Sequence, residues 1–500
     1  MSQPTQTSVV LDPATLGLAP EAQAEAAPAQ AALDLAAFEA AYRAQDFPAA
    51  RAELEARIAE RPDPRLTTVL ARVLDRHFNA EDHAARLLHG VILAEGDAAP
   101  PAAFEALAAI ELRQGAAEAA IATAKRGLET APDLGGAAIT MLKARPLLAR
   151  GLAPALIARL EDAATPPASR PKLHAALARA FDKMKRRDEA FAQAVAGART
   201  ASPGVDPAGD VACLRETLEI FTPDFVDARR GFGLDDPRPT FVVGLPRSGA
   251  RLMSRFLAGH PDVADLGPQA EIGRANRALR ALVAARTDAP LGLLGHLAEA
   301  RADEVRAVAT DCLARMEALA GGAPALRLVD SGAGLFAQVG LIKLMFPAAR
   351  VIHMRRFALD VAIANLFDAP EDMTPFADGP ESLVSRAIIG MEMMRRWEAL
   401  YPEDVTLIQY ERLKEDLGRF GALALHRLAL ALPADGLPAP RAADYEDWTG
   451  RWSDYRDQLA GVIDAFTRYE AAAGVVPAQA SSESAATPAT GGDAAAPAAG

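Results

Sequence analysis

Apolar and polar positions alternate in two different ways along the chain. Through the first half, apolar residues recur every three to four positions in stretches of ten to fifteen residues, as in "FEALAAIELRQGAAEAAIATAKRGLETAPD", Phe104 to Asp133. That period places them on one face of a helix, and Gly115 in the middle marks a turn between two helices. The pattern changes near "DDPRPT", Asp235 to Thr240. Short β-branched runs follow, "TFVVGL", "LRLVD", "ARVIHM" and "VTLIQY", separated by helical patterns such as Leu335 to Met345 and Leu383 to Tyr401. Alternating strands and helices predict a mainly parallel sheet covered on both faces, with ligands at the carboxyl ends of the strands.

The helical half repeats. Ala50, Ala84, Ala120, Ala155 and Ala190 are spaced by 34, 36, 35 and 35 residues. Twelve positions after each comes Pro62, Gly96, Pro132, Pro167 or Ser202, the last followed by Pro203. A small residue where two helices touch and a breaker past the second helix define a helical hairpin close to the 34-residue tetratricopeptide period. Stacked Ala-rich amphipathic hairpins of another kind predict the same α-solenoid. The reading is therefore an α-solenoid of tetratricopeptide-like repeats at 34–203, a linker at 204–238 and an α/β domain at 239–472. The Ala/Pro-rich segment 1–33 and the segment 473–500 carry no periodic apolar face, so both are expected to be disordered.

Composition narrows the chemistry. Aromatic residues make up 5% of the 500 residues and the net charge is −13. Binding of nucleic acid through overall charge is excluded, and any anion site must be built locally. Two cysteines, Cys213 and Cys312, without histidines at ligand spacing, suggest neither a disulfide framework nor a zinc site. No window supplies the roughly 18 apolar residues of a membrane span, and no basic-then-apolar leader opens the chain, so a cytoplasmic protein is expected.

The local anion site is sought in "FVVGLPRSGARLMSRFL", Phe241 to Leu257. A strand, a glycine-bounded loop and a helix start converge backbone N–H groups and the positive end of a helix dipole on one point. Gly244 to Gly249 has the G-x-x-x-x-G spacing of a nucleotide loop, but Ala250 and Arg251 stand where a nucleotide triphosphatase carries Lys and Ser/Thr. Magnesium-dependent phosphoryl transfer, including a nucleoside kinase, is disfavoured, and an anion site without metal fits better. In "MRR" an extended strand sends only one of Arg355 and Arg356 to the pocket side; Arg356 is assigned there and Arg355 to the surface. His260 in "GHP" reads as a turn or cap residue and His353 as a core histidine.

"GLPRSGARL", "AGHPDVADLG", "VGLIKLMFPAARVIHMRR", "MEMMRRWEALYPEDVTLIQYERL" and "TGRWSDYRDQLAGVIDAF" together resemble the sulfotransferases that use 3′-phosphoadenosine 5′-phosphosulfate (PAPS). "LHAALARAFDKMKRRDEAFAQA" and "FTPDFVDARR" extend the likeness to the bacterial members that carry tetratricopeptide repeats in front. The resemblance implies a metal-free transfer of the sulfuryl group of PAPS to a hydroxyl or amine of a glycan, peptide or small molecule. By the same resemblance, Pro246, Arg247, Ser248, Gly249, Ala250 and Arg251 form the 5′-phosphosulfate loop, with Arg247 neutralising charge on the bridging oxygen during transfer. Arg356 and the position of Ala364 correspond to the 3′-phosphate site. Gly450, Arg451 and Trp452 match a late "GRW" that closes over the nucleotide.

Six positions depart from the family pattern, two of them Phe357 and Ala358, which stand where the family's "R-D-P-L-D" turn has Asp and Pro. Ala250 replaces a threonine of the loop, Ala364 the 3′-phosphate serine, Ser331 the lysine of "D-K-x-P", and Pro268 the glutamate of "GEL". Glu271 is the carboxylate nearest the last of these in sequence. Two lost hydroxyl donors imply weaker nucleotide binding unless Arg251 turns inward. Replacing Ala250 by Thr and Ala364 by Ser together is expected to tighten it. The alternative reading is a catalytically inactive pseudo-sulfotransferase whose repeats recruit a protein, peptide or glycan in their groove.

Overall fold

The computed structural model describes residues 35–201, 206–287, 291–322, 324–332, 334–367, 377–433, 436–437 and 448–472. The two terminal segments expected to be disordered lie outside these. Ten helices come first, as five hairpins: α1 (Ala36–Arg43) with α2 (Phe47–Glu60), α3 (Pro64–His77) with α4 (Glu81–Glu95), α5 (Pro101–Arg113) with α6 (Ala117–Thr130), α7 (Gly135–Ala144) with α8 (Ala149–Glu161), and α9 (Arg170–Lys183) with α10 (Arg187–Ala201). Turn chemistry sets the boundaries. Asp46 and Asp63 accept hydrogen bonds from the first-turn N–H groups of α2 and α3. Gly115, between α5 and α6, takes the left-handed φ of 84° that favours glycine.

Ala50, Ala84, Ala120 and Ala190 are fully buried at the hairpin contacts, as the repeat predicts. The fourth hairpin breaks register. Ala155 is exposed, and Ala153 takes the buried place at 4% exposure. A 3-10 turn at Pro146–Leu148 precedes α8, and Pro154 lies inside it. A tighter turn and an interior proline change the phase at which α8 meets its neighbours.

Two helices, α11 (Pro207–Ile220) and α12 (Pro223–Ala228), lead into the α/β region. It comprises β1 (Pro239–Val243), α13 (Ala250–Leu257), β2 (Val263–Gly267), α14 (Glu271–Ala284), α15 (Gly295–Glu299), α16 (Ala302–Leu319), β3 (Arg327–Asp330), α17 (Val339–Met345), β4 (Arg350–Arg355), α18 (Ala358–Phe367), α19 (Pro380–Leu400), β5 (Val405–Gln409), α20 (Tyr410–Glu415), α21 (Leu417–Arg427) and α22 (Ala460–Ala472). The order across the sheet is β2-β3-β1-β4-β5 and every pairing is parallel. The strands predicted from the apolar runs are β1, β3, β4 and β5, and β2 is an additional edge strand.

Successive side chains on each strand enter opposite apolar layers. Phe241, Val243, Leu328, Val351 and Val405 join the layer with α14, α16 and α19. Val242, Val329, Ile352, Met354 and Ile408 join the layer with α13 and α21. The helical half is tied to this region at both ends. Near its start, Asn79 Nδ2 donates to Asp265 at 3.0 Å and Gln269 Nε2 to the His77 carbonyl at 2.6 Å. Near its end, Leu173, Leu177 and Phe181 share one apolar cluster with Leu359, Ile363, Phe367, Trp448 and Tyr455.

Candidate functional site

The loop after β1 is shaped by close approaches that admit only glycine at two places. A Cβ at position 244 would lie 2.4 Å from both the Met354 carbonyl and Ser248 Oγ. Gly249 has φ 100°, and a Cβ there would meet the Tyr410 ring at 2.4 Å. Between them Arg247 itself adopts φ 69°. Such a conformation in a non-glycine residue costs on the order of 1–3 kcal/mol and persists only where its surroundings enforce it. Here the enforcement is visible: Asn365 Nδ2, on α18, donates to the Pro246 carbonyl at 3.0 Å, and Arg356 Nη1 donates to the Arg247 carbonyl at 3.1 Å.

Arg356 follows the last residue of β4, next to β1 in the sheet, and this adjacency brings Arg247 and Arg356 to one side of the loop. The strand alternation sorts the pair as expected: Arg355 is exposed and Arg356 is buried at 7% exposure. The Arg356 guanidinium lies 4.5 Å from the centre of the Tyr410 ring, and its Nη2 reaches Thr449 Oγ1 at 3.4 Å. Its Nε is buried without a hydrogen-bond partner, as is Ser248 Oγ in the loop. Among the described residues no carboxylate stands within ion-pair distance of Arg356. Burial, reinforced by the neighbouring charge of Arg356, pushes the Arg247 guanidinium down to about 10, so it stays cationic at neutral pH. Arg247 and Arg356 thus lie together beside the start of α13, with Ser248 Oγ and Arg356 Nε buried next to them, an arrangement of cations and donors of the kind that suits an anion.

The other predicted positions are placed as follows. Ala250 is the first residue of α13 and packs against the apolar layer of Val242 and Leu252. The Arg251 side chain is 59% exposed and pairs with Glu81 of the helical half at 3.4 Å, turned away from the loop. Ala364, at 1% exposure, lies within the apolar cluster shared by α18 and the last hairpins. Gly450 donates its N–H to Asp360 Oδ1 at 2.8 Å and has φ 75°. Arg451 reaches Asp182 on α9 at 2.6 Å, and Trp452 packs at 5.9 Å from Phe357. The loop, Arg356 and the segment 448–452 are thus contiguous, whereas Arg251 lies apart from them. His260 joins the Ala431 carbonyl and accepts from the Asp262 N–H, a turn role, and buried His353 contacts Glu398 at 2.6 Å.

A group of carboxyls at the carboxyl ends of β2 and β3 was not legible as such. Asp330, at 1% exposure, ends β3 beside Ser331. Burial pushes its carboxyl up to about 7; the Gln269 and Gly332 N–H groups that donate to Oδ1 oppose this, and the charges of Glu271 and Asp265 add to it. Glu271 and Asp265 are raised as well, first by burial. Carboxyls tuned toward neutrality are suited to holding or accepting a proton. The available signal was the aspartate at the end of an apolar strand, "LRLVD". Among the described residues no three or more His, Cys, Asp or Glu side chains are placed so that they could hold a metal ion together, and no helix is long and apolar enough to cross a membrane.

Residues 239–420 match the model of the Sulfotransferase family, Sulfotransfer_3. This part of the chain is a sulfotransferase domain, preceded by a helical region and built on a five-stranded parallel sheet. An uncharacterized protein of Aquifex aeolicus (strain VF5) is 32% identical over 212 residues, 41% of this chain and 27% of the relative, so the chain spans about a quarter of that protein's length. Among solved structures, sulfotransferase STF9 from Mycobacterium avium aligns at 14% identity over 56% of this chain and 90% of its own, with a TM-score of 0.30. Sulfotransferase STF1 from Mycobacterium tuberculosis H37Rv aligns at 14% identity over 66% of this chain and 98% of its own, with a TM-score of 0.27.

Proposed function

We propose that this protein is a PAPS-dependent sulfotransferase of the cytoplasm, with repeats at 34–203 and a catalytic domain at 239–472. The observation that carries the reading is Arg356: a buried guanidinium with no carboxylate partner among the described residues, beside a second cation, at the mouth of a glycine-bounded loop. A buried charge is costly unless an anion meets it, and a nucleotide carrying a 3′-phosphate supplies that anion at Arg356. The loop Pro246 to Gly249 and the start of α13 hold the 5′-phosphosulfate, and the buried Ser248 Oγ supplies a donor there. Arg356 holds the 3′-phosphate. Arg247 neutralises the bridging oxygen as its bond to sulfur breaks.

In this reaction an acceptor oxygen or nitrogen forms its bond to sulfur, 3′-phosphoadenosine 5′-phosphate (PAP) leaves with the electron pair, and the acceptor proton passes to a base. The acceptor is a hydroxyl or amine of a glycan, peptide or small molecule brought in along the repeats. A second reading, a silent sulfotransferase domain serving as a repeat-based scaffold, is favoured by the apolar surroundings of Ala364 and by Ser331 in the lysine position. Release of PAP from PAPS, assayed over a panel of hydroxyl and amine acceptors, separates the two. Acceptor-dependent release that Arg247→Ala lowers about a hundredfold or more supports the enzyme. Absence of release with every acceptor supports the scaffold.

A further inference from the structure

Asp182 lies on α9 in the last helical hairpin, at 3% exposure, far in sequence from the nucleotide loop. Its carboxylate is engaged both by the other end of the chain and by its own hairpin, where Lys183 Nζ lies 3.8 Å from Oδ2. Oδ1 accepts from Arg451 Nη2 at 2.6 Å and from Tyr455 Oη at 2.6 Å, and Arg187 of α10 donates to the same oxygen. Burial alone would raise this carboxyl; the hydrogen bonds from Arg451 and Tyr455 and the charges of Arg451 and Arg187 hold it below its ordinary value, so it is an anion at neutral pH.

The segment that Asp182 grips continues into the loop site. One residue before Arg451, Gly450 is fixed to Asp360 of α18 at 2.8 Å, and one before that, Thr449 Oγ1 meets Arg356 Nη2 at 3.4 Å. Arg356 in turn holds the Arg247 carbonyl at 3.1 Å. A run of hydrogen bonds and three consecutive residues, Thr449 to Arg451, therefore joins the helical half to the loop. Trp448 stabilises the run from below, with the Arg451 guanidinium 5.0 Å from its ring and Phe367 at 5.2 Å.

We infer that Asp182 is a positioning residue: the last helical hairpin holds the segment 448–455 against the loop, so that Arg356 faces the nucleotide in one fixed orientation. The inference rests on the sulfotransferase reading only for the identity of the nucleotide. It gives the repeats a role inside the site, as the wall against which the closing segment is set. Removing the charge of Asp182 takes from Arg451 its contact with α9, leaving it Asp454 at 3.2 Å, and removes the most buried of the ties between residues 448–455 and the last hairpin, of which the Arg187–Asp454 pair at 2.9 Å is another. The network is contiguous, and each link in it is a bond that either exists or is broken.

The test uses the full chain and two readouts on Asp182→Asn. Amide hydrogen exchange of the nucleotide-free protein is expected to accelerate in peptides covering 448–455, with the hairpins α1 to α6 unchanged. PAP affinity, by calorimetry, is expected to fall about 10- to 100-fold, the range set by one charge-assisted hydrogen bond. In an Arg451→Ala background the same substitution should then change PAP affinity by a clearly smaller factor than in the parent, because only the Tyr455 link is left to lose. Arg451→Lys, which keeps the charge and loses the fork, gives the same exchange signature should Asp182→Asn fail to fold. Unchanged exchange at 448–455 overturns the inference, and so does accelerated exchange with unchanged or tighter PAP binding, which would make Asp182 a competitor for Arg451. Accelerated exchange in a protein whose unsubstituted form binds no PAP leaves the anchoring role standing and removes the sulfotransferase reading instead.

Discussion

Replacing Asp330 with asparagine should make the protein more stable, and more so as pH rises. The side chain ends β3 with Oδ1 fixed by two backbone N–H groups, which an asparagine oxygen can accept equally well. Its carboxyl is raised from 3.8 to about 7, first by burial. Between those values the folded chain binds a proton that the unfolded chain has released, so stability contributed by the neutral form is complete below about pH 4 and is lost as pH rises through about 7. The full linkage is about 4 kcal/mol at pH 8 and about 2 kcal/mol at pH 5. Asparagine mimics the protonated acid at every pH, so the gain over the parent should grow by about 2 kcal/mol between pH 5 and pH 8. Taking the difference between two pH values cancels any fixed cost of exchanging Oδ2 for an amide. Urea unfolding of both proteins at each pH measures it, with the midpoint of the variant moving up at pH 8. Buried His77, held down to about 3, and His296, held down to about 4, act in the opposite sense. The unfolded chain protonates them first, so stability falls as pH drops below about 6.5, equally in parent and variant. A difference between variant and parent that is the same at pH 5 and pH 8 would refute the assignment of Asp330 as a buried carboxyl held partly neutral.

Two substitutions separate the departures from the family pattern. Ala250→Thr restores a hydroxyl at the first residue of the loop helix and should tighten PAP binding about tenfold, read by calorimetry. Ala364→Ser instead places a hydroxyl in an apolar cluster at 1% exposure, and should cost about 1–3 kcal/mol in thermal unfolding without tightening PAP.

The second of these predictions revises what the residues alone suggested, and the reason is general to the chain. Elements whose side chains obey a strict period were legible: the helical hairpins from their alanine spacing, and β1, β3, β4 and β5 from continuous apolar runs that a doubly covered parallel sheet requires. β2, "VADLG", was not assigned as a strand, because Asp265 interrupts its apolar run, accepting from Ser254 Oγ and the Gly267 N–H instead of presenting an apolar face. The fourth hairpin was misregistered by two residues because Pro154 and the 3-10 turn change helix phase without changing the repeat length. At the site, glycine positions and the Arg355/Arg356 alternation follow from backbone rules and were readable. The direction of Arg251, the apolar packing of Ala364 and the grip of Asp182 on Arg451 are contacts between segments far apart in sequence. No local pattern encodes them.

Titration of the full chain with PAP tests the central claim most directly. A convergent site built by Arg247 and Arg356 predicts binding in the micromolar range, weakened about a hundredfold or more by Arg356→Ala with the fold intact. No heat at millimolar PAP, or equal affinity in the parent and in Arg356→Ala, would contradict it.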